Sequence, residues 1–313
     1  SDVYKRQGYT NLPFRLVLRE VGGLGLTTTD LVNARSLLER NPKALKLIET
    51  NEADSPLAVQ LFGAVPEEMR DASQYLESIG IHSIDINMGC PVRKIARKGG
   101  GSGLIRDPEL AIQIVEAVAD AVAVPVTVKT RLGWCGSDAD PVHWCQQLEQ
   151  AGAQLLTLHG RTREQGFKGA ADWSAITNVR KALTIPLIAN GDINSPDDAL
   201  RCLNQTGAAG VMVGRGTMGA PWLVGQIDAA LAGRAIPATP NPSARLALAM
   251  DQLDGLVQER GDHGLLIARK HMGWTCTGFP GASRLRHDLM RAPTPAQARD
   301  LLNQQIDALA ASA

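Results

Sequence analysis

Short runs of apolar, largely β-branched residues recur along the chain at 24–29, 57–62, 83–87, 124–130, 155–159, 185–190 and 209–214. Between them lie stretches with apolar positions at helical spacing, near 65–79, 108–121, 141–152, 173–182 and 195–206. A continuously apolar run predicts a strand buried on both faces, and such strands separated by helices form a parallel sheet. Gly8-Tyr9-Thr10 reads as the loop after one further strand, lost at the N-terminus, and 12–21 as the helix that followed it. The repeat therefore predicts an α/β fold, a (β/α)8 TIM barrel with its first strand missing. A doubly wound open sheet is the alternative, but the glycine fingerprint expected in its first turn is not there.

Past Gly216 the alternation stops. Pro237, Pro240 and Pro242 punctuate a linker, and helical spacing then dominates over 243–260, 264–275 and 294–311. This predicts a catalytic barrel over 8–235 and a small helical domain over 243–313. Residues 1–7, Ser-Asp-Val-Tyr-Lys-Arg-Gln, have no periodicity and match the translation of a transposon sequencing adapter. They are set aside as non-native.

Composition narrows the function classes. The chain has 313 residues, 44% apolar and 20% charged, with a formal net charge of zero. That balance speaks against a protein basic over its whole surface, yet leaves room for a local basic face. Five cysteines without a Cys-x-x-Cys pair predict a reduced, cytoplasmic protein with neither structural disulfides nor a metal site. No apolar run approaches the ~18–20 residues that cross a bilayer. Aromatic content of 4% argues against extensive base-stacking platforms.

The strand ends carry the candidate chemistry. Each finishes in a polar group: Gln60, Asn87 with Cys90, Lys129 with Arg131, His159, Asn190 with Asp192, and Gly214 with Arg215. In a barrel these ends converge on one face, where active sites sit. Cys90 closes a Gly-Cys-Pro turn and is followed by Arg93, Lys94, Arg97 and Lys98, then by a glycine run over 99–103. A thiol among cations serves as acid or nucleophile; the bland reading is a small buried thiol at a turn. Lys129 inside a barrel mouth must be paired or deprotonated, and suits either the negative edge of a reduced flavin or a Schiff base. For His159 alone, a satisfied core histidine is the default. Gly191, Gly214 and Gly216 with Arg215 offer N–H groups and charge for a phosphate monoester.

Five motifs, in order, match one family. Asp85-Ile-Asn-Met-Gly-Cys-Pro91, Val128-Lys-Thr-Arg-Leu-Gly-Trp134, His159-Gly-Arg-Thr-Arg163, Ala189-Asn-Gly-Asp192 and Gly214-Arg215 resemble those of tRNA-dihydrouridine synthases, the bacterial B-type subgroup above all. Ala268-Arg-Lys-His271 is similar to that subgroup too. The resemblance implies FMN in the barrel mouth, with Gln60, Lys129, Asn190, Gly191, Asp192, Gly214 and Arg215 at flavin-contacting positions. His159 would face flavin and substrate. It implies that NADPH, or NADH, reduces the flavin, that N5 delivers hydride to C6 of a uracil, and that Cys90 protonates C5. Asn87, Arg93, Lys94, Arg97, Lys98, Arg131, Arg161 and Arg163 are then candidates for gripping tRNA around a flipped D-loop uridine. Arg269, Lys270 and His271 are candidates on the helical domain. A monomer suffices. Two departures stand out: the family's opening strand is reduced to Gly8-Tyr9-Thr10-Asn11, which predicts an incomplete flavin site and an open barrel seam, and Asn11 stands where an aspartate is usual. The competing readings are a flavin barrel acting on a free pyrimidine, and a barrel that binds RNA without catalysis.

Overall fold

The computed structural model describes residues 10–136 and 139–311. Residues 1–7 and the Gly8-Tyr9 loop therefore lie outside the described residues. The chain divides by contacts into two compact units, one of residues 10–11, 25–193 and 197–213, the other of 12–24, 194–196 and 214–311.

All pairing in the first unit's sheet is parallel. Its strands are β1 (Thr27–Thr28), β2 (Val32–Asn33), β3 (Leu57–Phe62), β4 (Ser83–Asn87), β5 (Val126–Arg131), β6 (Leu155–His159), β7 (Leu187–Asn190) and β8 (Gly210–Met212). From β3 to β8 each strand pairs with the next, and both β1 and β2 pair with β3. Among the described residues no pairing joins β8 back to β1. Of the strand predicted at 24–29 only Thr27–Thr28 forms, and Val32–Asn33 adds a second short segment along the same edge of β3. Between them Thr29 carries the ladder, its N–H donating to Ala58 O (3.0 Å) and its Oγ1 accepting from Gln60 N (3.1 Å).

The register sorts the strand residues onto two faces. Gln60 pairs with Asp85, Asp85 with Thr127, Asn87 with Lys129, Lys129 with Thr157, Arg131 with His159 and His159 with Asn190. Paired residues share a face and successive residues alternate, so these polar side chains all point to one side. The other side carries Leu57, Val59, Leu61, Ile84, Ile86, Val126, Val128, Leu156, Leu158 and Leu187, every one buried. The strands are therefore not uniformly apolar: one face is hydrocarbon for the helices, the other is a polar lumen.

The helices begin where the sequence marks them. Asp107 and Asp140 cap Pro108–Ala119 and Pro141–Gln150, accepting from Leu110 N (3.2 Å) and His143 N (3.0 Å), each with proline at the first helical position. Asp172 caps Trp173–Ala182 the same way.

The second unit is helical: Leu12–Val21, Leu223–Leu231, Pro242–Arg260, His263–Thr275, Ala282–Leu289 and Pro295–Ala310. Its core gathers Leu246, Leu253, Leu256, Leu265, Met272, Leu285, Leu289 and Leu302. Leu223–Leu231 and Ala282–Leu289 add to the predicted helices. The latter is short and strongly charged, so only Leu285 and Leu289 betray its buried stripe. Among the described residues no helix is long and apolar enough to cross a membrane.

Candidate active site

A chain of amide side chains anchors the loop that bears the thiol. Asp85, buried on β4, accepts from Thr127 Oγ1 (2.6 Å) and from Gln60 Nε2. Gln60 Oε1 in turn accepts from Asn87 Nδ2 (2.9 Å), and Asn87 Oδ1 accepts from the N–H of Cys90 (2.9 Å) and of Gly89 (3.3 Å). Each bond fixes the orientation of the next amide, because an amide that donates from nitrogen on one side presents oxygen on the other. Cys90 is pinned from its other end as well, its carbonyl accepting from Ser102 N (3.1 Å). Gly101, at φ 56°, lies so close that an added Cβ would sit 3.2 Å from Cys90 Cβ. The glycine run over 99–103 is packed against the thiol's own turn.

A second cluster centres on Asn190. Its Oδ1 accepts from Lys129 Nζ (3.2 Å) and His159 Nδ1 (2.8 Å), while its Nδ2 donates to Met212 O (2.7 Å). The oxygen that accepts from lysine leaves His159 with its proton on Nδ1. His159 Nε2 lies 3.5 Å from the Arg161 guanidinium, as fits an unprotonated nitrogen. Burial first, then the charges of Lys129 and Arg131, hold the imidazole pKa down to about 3, so it is neutral at physiological pH. Burial, then Arg131, lowers the Lys129 ammonium to about 8, against the pull of Asp85 and Cys90. Burial raises the Asp85 carboxyl, opposed by the bonds from Thr127 and Gln60.

The two predicted arginines nearest this cluster are buried. Arg131 donates to Gly89 O (2.7 Å), Thr162 O (3.1 Å) and Gly166 O (3.0 Å), stapling the thiol's turn to the loop after β6. Arg161 pairs with Asp192 (2.6 Å). Asp192 also accepts from Ala171 N (2.7 Å) and occupies the left-handed region at φ 57°, next to Gly191 at φ 120°. A Cβ at Gly191 would come within 2.9 Å of Ala171 Cβ, so this tight turn needs glycine.

Arg93, Lys94, Arg97 and Lys98 are exposed and line a groove of about 490 Å³. Arg97 and Arg93 also join Ala96, Arg106, Trp134 and Arg163 around a second pocket, of about 260 Å³. In the helical unit Gly214 and Arg215 are exposed at a 3₁₀ turn, and His271 is buried between Phe14 and Trp274, ring centroids 5.0 and 5.2 Å away. Arg269 donates to Ala292 O (2.7 Å) and Lys270 is half-buried. Cys145, Cys202 and Cys276 are buried, and burial raises all three thiols, the last two to about 11. Sequence reasoning gave no role to Asp85, Thr127, Arg106 or Trp134. Asp85 and Thr127 were detectable as polar residues at alternate strand positions; the pocket around Trp134 depends on three loops meeting and had no local signal.

A parallel α/β sheet with an apolar helix-facing side and a polar lumen, its functional groups at the C-terminal strand ends, defines a barrel-type enzyme. The fold resembles that of histamine dehydrogenase from Rhizobium (TM-score 0.53, 15% identity, 78% of this chain and 46% of that one). It also resembles 2-naphthoyl-CoA reductase (TM-score 0.54, 12% identity, 74% and 48%). The dihydrouridine synthase family model matches residues 5–311. The chain is 44% identical over 301 residues to "Probable tRNA-dihydrouridine synthase 1" of Synechocystis, covering 96% of this chain and 84% of that protein. It is 39% identical to tRNA-dihydrouridine synthase B of Pseudomonas aeruginosa, covering 91% and 86%. The chain belongs to the dihydrouridine synthase family and is an oxidoreductase.

Proposed function

We propose that this protein reduces uridines of the tRNA D-loop to 5,6-dihydrouridine, as a cytoplasmic monomer using FMN and NADPH or NADH. The reading is carried by the relay from Asp85 through Gln60 and Asn87 to the Cys90 N–H, which holds a thiol in place beside a lumen of planar hydrogen-bonding groups.

The donor set suits a flavin. Lys129, with its lowered pKa, is an ammonium short of a negative partner, as the N1/O2 edge of a reduced flavin would supply. Gln60, Asn190 and His159 add amide and imidazole groups fixed in orientation, fit for a flat heterocycle. Gly191 and Asp192 shape the turn after β7; Gly214 and Arg215 enter as phosphate contacts on family resemblance alone. FMN, when bound and recharged by a nicotinamide dinucleotide, supplies the hydride added at uracil C6.

The chain's own task is then to quench the enolate-like charge that builds on C5 and O4. His159 is neutral with its Nδ1 proton directed at Asn190, and Asp85 is engaged by Gln60 and Thr127. Family resemblance makes Cys90 the acid, its S–H transferring the proton to C5 as the C5–C6 double bond is lost; solvent reprotonates the thiolate. Arg93, Lys94, Arg97 and Lys98, exposed on the same loop, would hold phosphates around the target nucleotide. The buried Arg131 and Arg161 support this work by bracing the loops, and Arg269, Lys270 and His271 belong to the unit assigned to tRNA recruitment.

The test is mass spectrometry of nucleosides from unmodified tRNA incubated with the protein, FMN and NADPH. The mass of two added hydrogens on a D-loop uridine is expected. A yellow, NADPH-oxidising preparation that leaves tRNA unchanged would transfer the reading to a free pyrimidine.

A further inference from the structure

The 3₁₀ turn Gly101–Arg106 follows the basic segment and returns the chain to the thiol. Ser102 N donates to Cys90 O (3.1 Å), and a Cβ added at Gly101 would lie 3.2 Å from both Cys90 Cβ and Cys90 O. At Gly103 a Cβ would stand 2.6 Å from Ala96 O, and at Gly100 3.3 Å from Gly63 O. The backbone on both sides of residue 102 is therefore closely confined. From 99 to 105 the sequence is Gly-Gly-Gly-Ser-Gly-Leu-Ile, so Ser102 carries the one side chain there that can form a hydrogen bond.

Ser102 is fully buried, and its hydroxyl has no hydrogen-bond partner among the described residues. A hydroxyl buried in this way weakens the fold, and alanine would fill nearly the same space without that cost. Such a group calls for a partner that arises at another stage of the working cycle. Gly63, Ala64, Ile95 and Ala96, which the flanking glycines touch, present only backbone and hydrocarbon. Of the neighbours of this segment, Cys90 alone changes charge: when its S–H gives a proton to uracil C5, the sulfur becomes an anion. A thiolate accepts a hydrogen bond strongly, a thiol only weakly.

Resting on the acid role proposed above for Cys90, we propose that Ser102 is a further catalytic residue, its Oγ–H donating to the Cys90 sulfur as the thiolate forms. The S–H bond of Cys90 breaks as the C5–H bond forms, the Ser102 proton stays on Oγ throughout, and the pair parts when solvent reprotonates the sulfur. A donor engaged only by the charged sulfur strengthens between ground state and transition state, which is what speeds a chemical step. Other cations bear on the same turn. Lys129 attracts the thiolate, Arg131 holds Gly89 O, and Arg93, Lys94, Arg97 and Lys98 stand on the exposed side. All of them stay in place when residue 102 alone is changed.

The test is the pH dependence of Cys90 alkylation by iodoacetamide in the FMN-loaded protein, read by peptide mass spectrometry, beside single-turnover reduction of tRNA. Iodoacetamide reacts with the thiolate, and Cys90 is partly exposed to it. Ser102→Ala is expected to move the profile to higher pH and to slow alkylation at neutral pH by about tenfold or more, the worth of a hydrogen bond to a charged group. Single-turnover reduction should fall with it. The denaturation midpoint should not fall, and FMN content and tRNA affinity should be retained, because alanine removes no bond present in the resting protein. An unchanged alkylation profile overturns the proposal. So does a shifted profile accompanied by lower stability, which would show that the hydroxyl is bonded within the resting fold. A wild-type protein that leaves tRNA unreduced, while Ser102→Ala still shifts the alkylation profile, keeps the pairing of hydroxyl and thiolate and sinks the function it rests on.

Discussion

The lumen of the sheet and the loop beyond Cys90 treat polar groups in opposite ways. In the lumen, Thr127, Asp85, Gln60 and Asn87 form one hydrogen-bonded chain and Lys129, His159 and Asn190 another, and burial moves the Asp85 carboxyl up and the His159 imidazole down. On the loop, Arg93, Lys94, Arg97 and Lys98 stand in solvent without ion pairs among the described residues. Burial favours groups fixed by mutual hydrogen bonds and makes a mobile charge expensive, so geometry is built inside and attraction outside. Cys90 sits where the two meet: its backbone belongs to the lumen's relay, its neighbours in sequence to the cationic loop. Mutations should therefore separate into those that stop chemistry and those that weaken capture.

The largest effect belongs to the junction. Replacing Cys90 by alanine is expected to lower single-turnover reduction of tRNA by about 10²–10⁴-fold, the usual worth of a positioned acid. FMN content and tRNA affinity should be retained, because the relay contacts the backbone of residue 90 and not its sulfur. Dihydrouridine formed by Cys90→Ala at the wild-type rate would assign the proton to another group, Lys129 being the first candidate.

Lys129 gives the next effect and a distinct pH signature. Its ammonium titrates near 8 in place of the ordinary 10.5. An anionic ligand binds best while the lysine is charged, so FMN affinity should be level below about pH 8 and decline above it. The sign for folding is opposite: between about 8 and 10.5 the unfolded chain binds the proton more tightly, so this group's contribution to stability rises with pH. Lys129→Met is expected to weaken FMN by about tenfold or more and to remove the decline, since a charge-assisted bond is lost. FMN titrations across pH 6–10 would check it. A variant that keeps the same inflection would show that another group sets it.

How much of this was legible in the sequence divides along the same line. The strand and helix order followed from apolar runs alternating with helical spacing, and Cys90, Lys129, His159 and Asn190 were visible because each lies at or just beyond the C-terminal part of a strand. What escaped was pairing. That Gln60 meets Asp85, or that Asn87 reaches back to the N–H of residue 90, depends on strand register, which no local pattern encodes. Arg131 and Arg161 looked like RNA contacts because arginine near a strand end has the same composition whether it faces solvent or three carbonyls. The strand predicted at 24–29 is shortened to Thr27–Thr28, and at Thr29 a side-chain oxygen accepts from Gln60 N in place of the backbone.

Asp85→Asn should give a smaller loss confined to the floor. Asparagine keeps the shape but offers one acceptor oxygen where the carboxylate offers two, so either Thr127 or Gln60 loses its partner. A buried group left unsatisfied costs about 1–3 kcal/mol, which chemical denaturation would register. Because Gln60 orients Asn87, turnover should drop further than stability alone explains. A variant of reduced stability with normal kcat would show that the relay supports the fold and not the thiol.

The smallest individual effects lie on the loop. Exposed cations act through counterion release, so each of Arg93→Gln, Lys94→Gln, Arg97→Gln and Lys98→Gln should weaken tRNA modestly and reduce the slope of log K against log salt by about 1 where a phosphate contact is lost. Thermal stability should not follow, since these side chains make no ion pairs among the described residues. The four need not be equal. Arg93 and Arg97 line both the open groove and the pocket at Trp134, whereas Lys94 and Lys98 line the groove alone. If the pocket adds a phosphate contact to those of the groove, the arginine variants should lower the tRNA slope further than the lysine variants. Equal slopes for all four would show that the pocket at Trp134 adds no phosphate contact of its own.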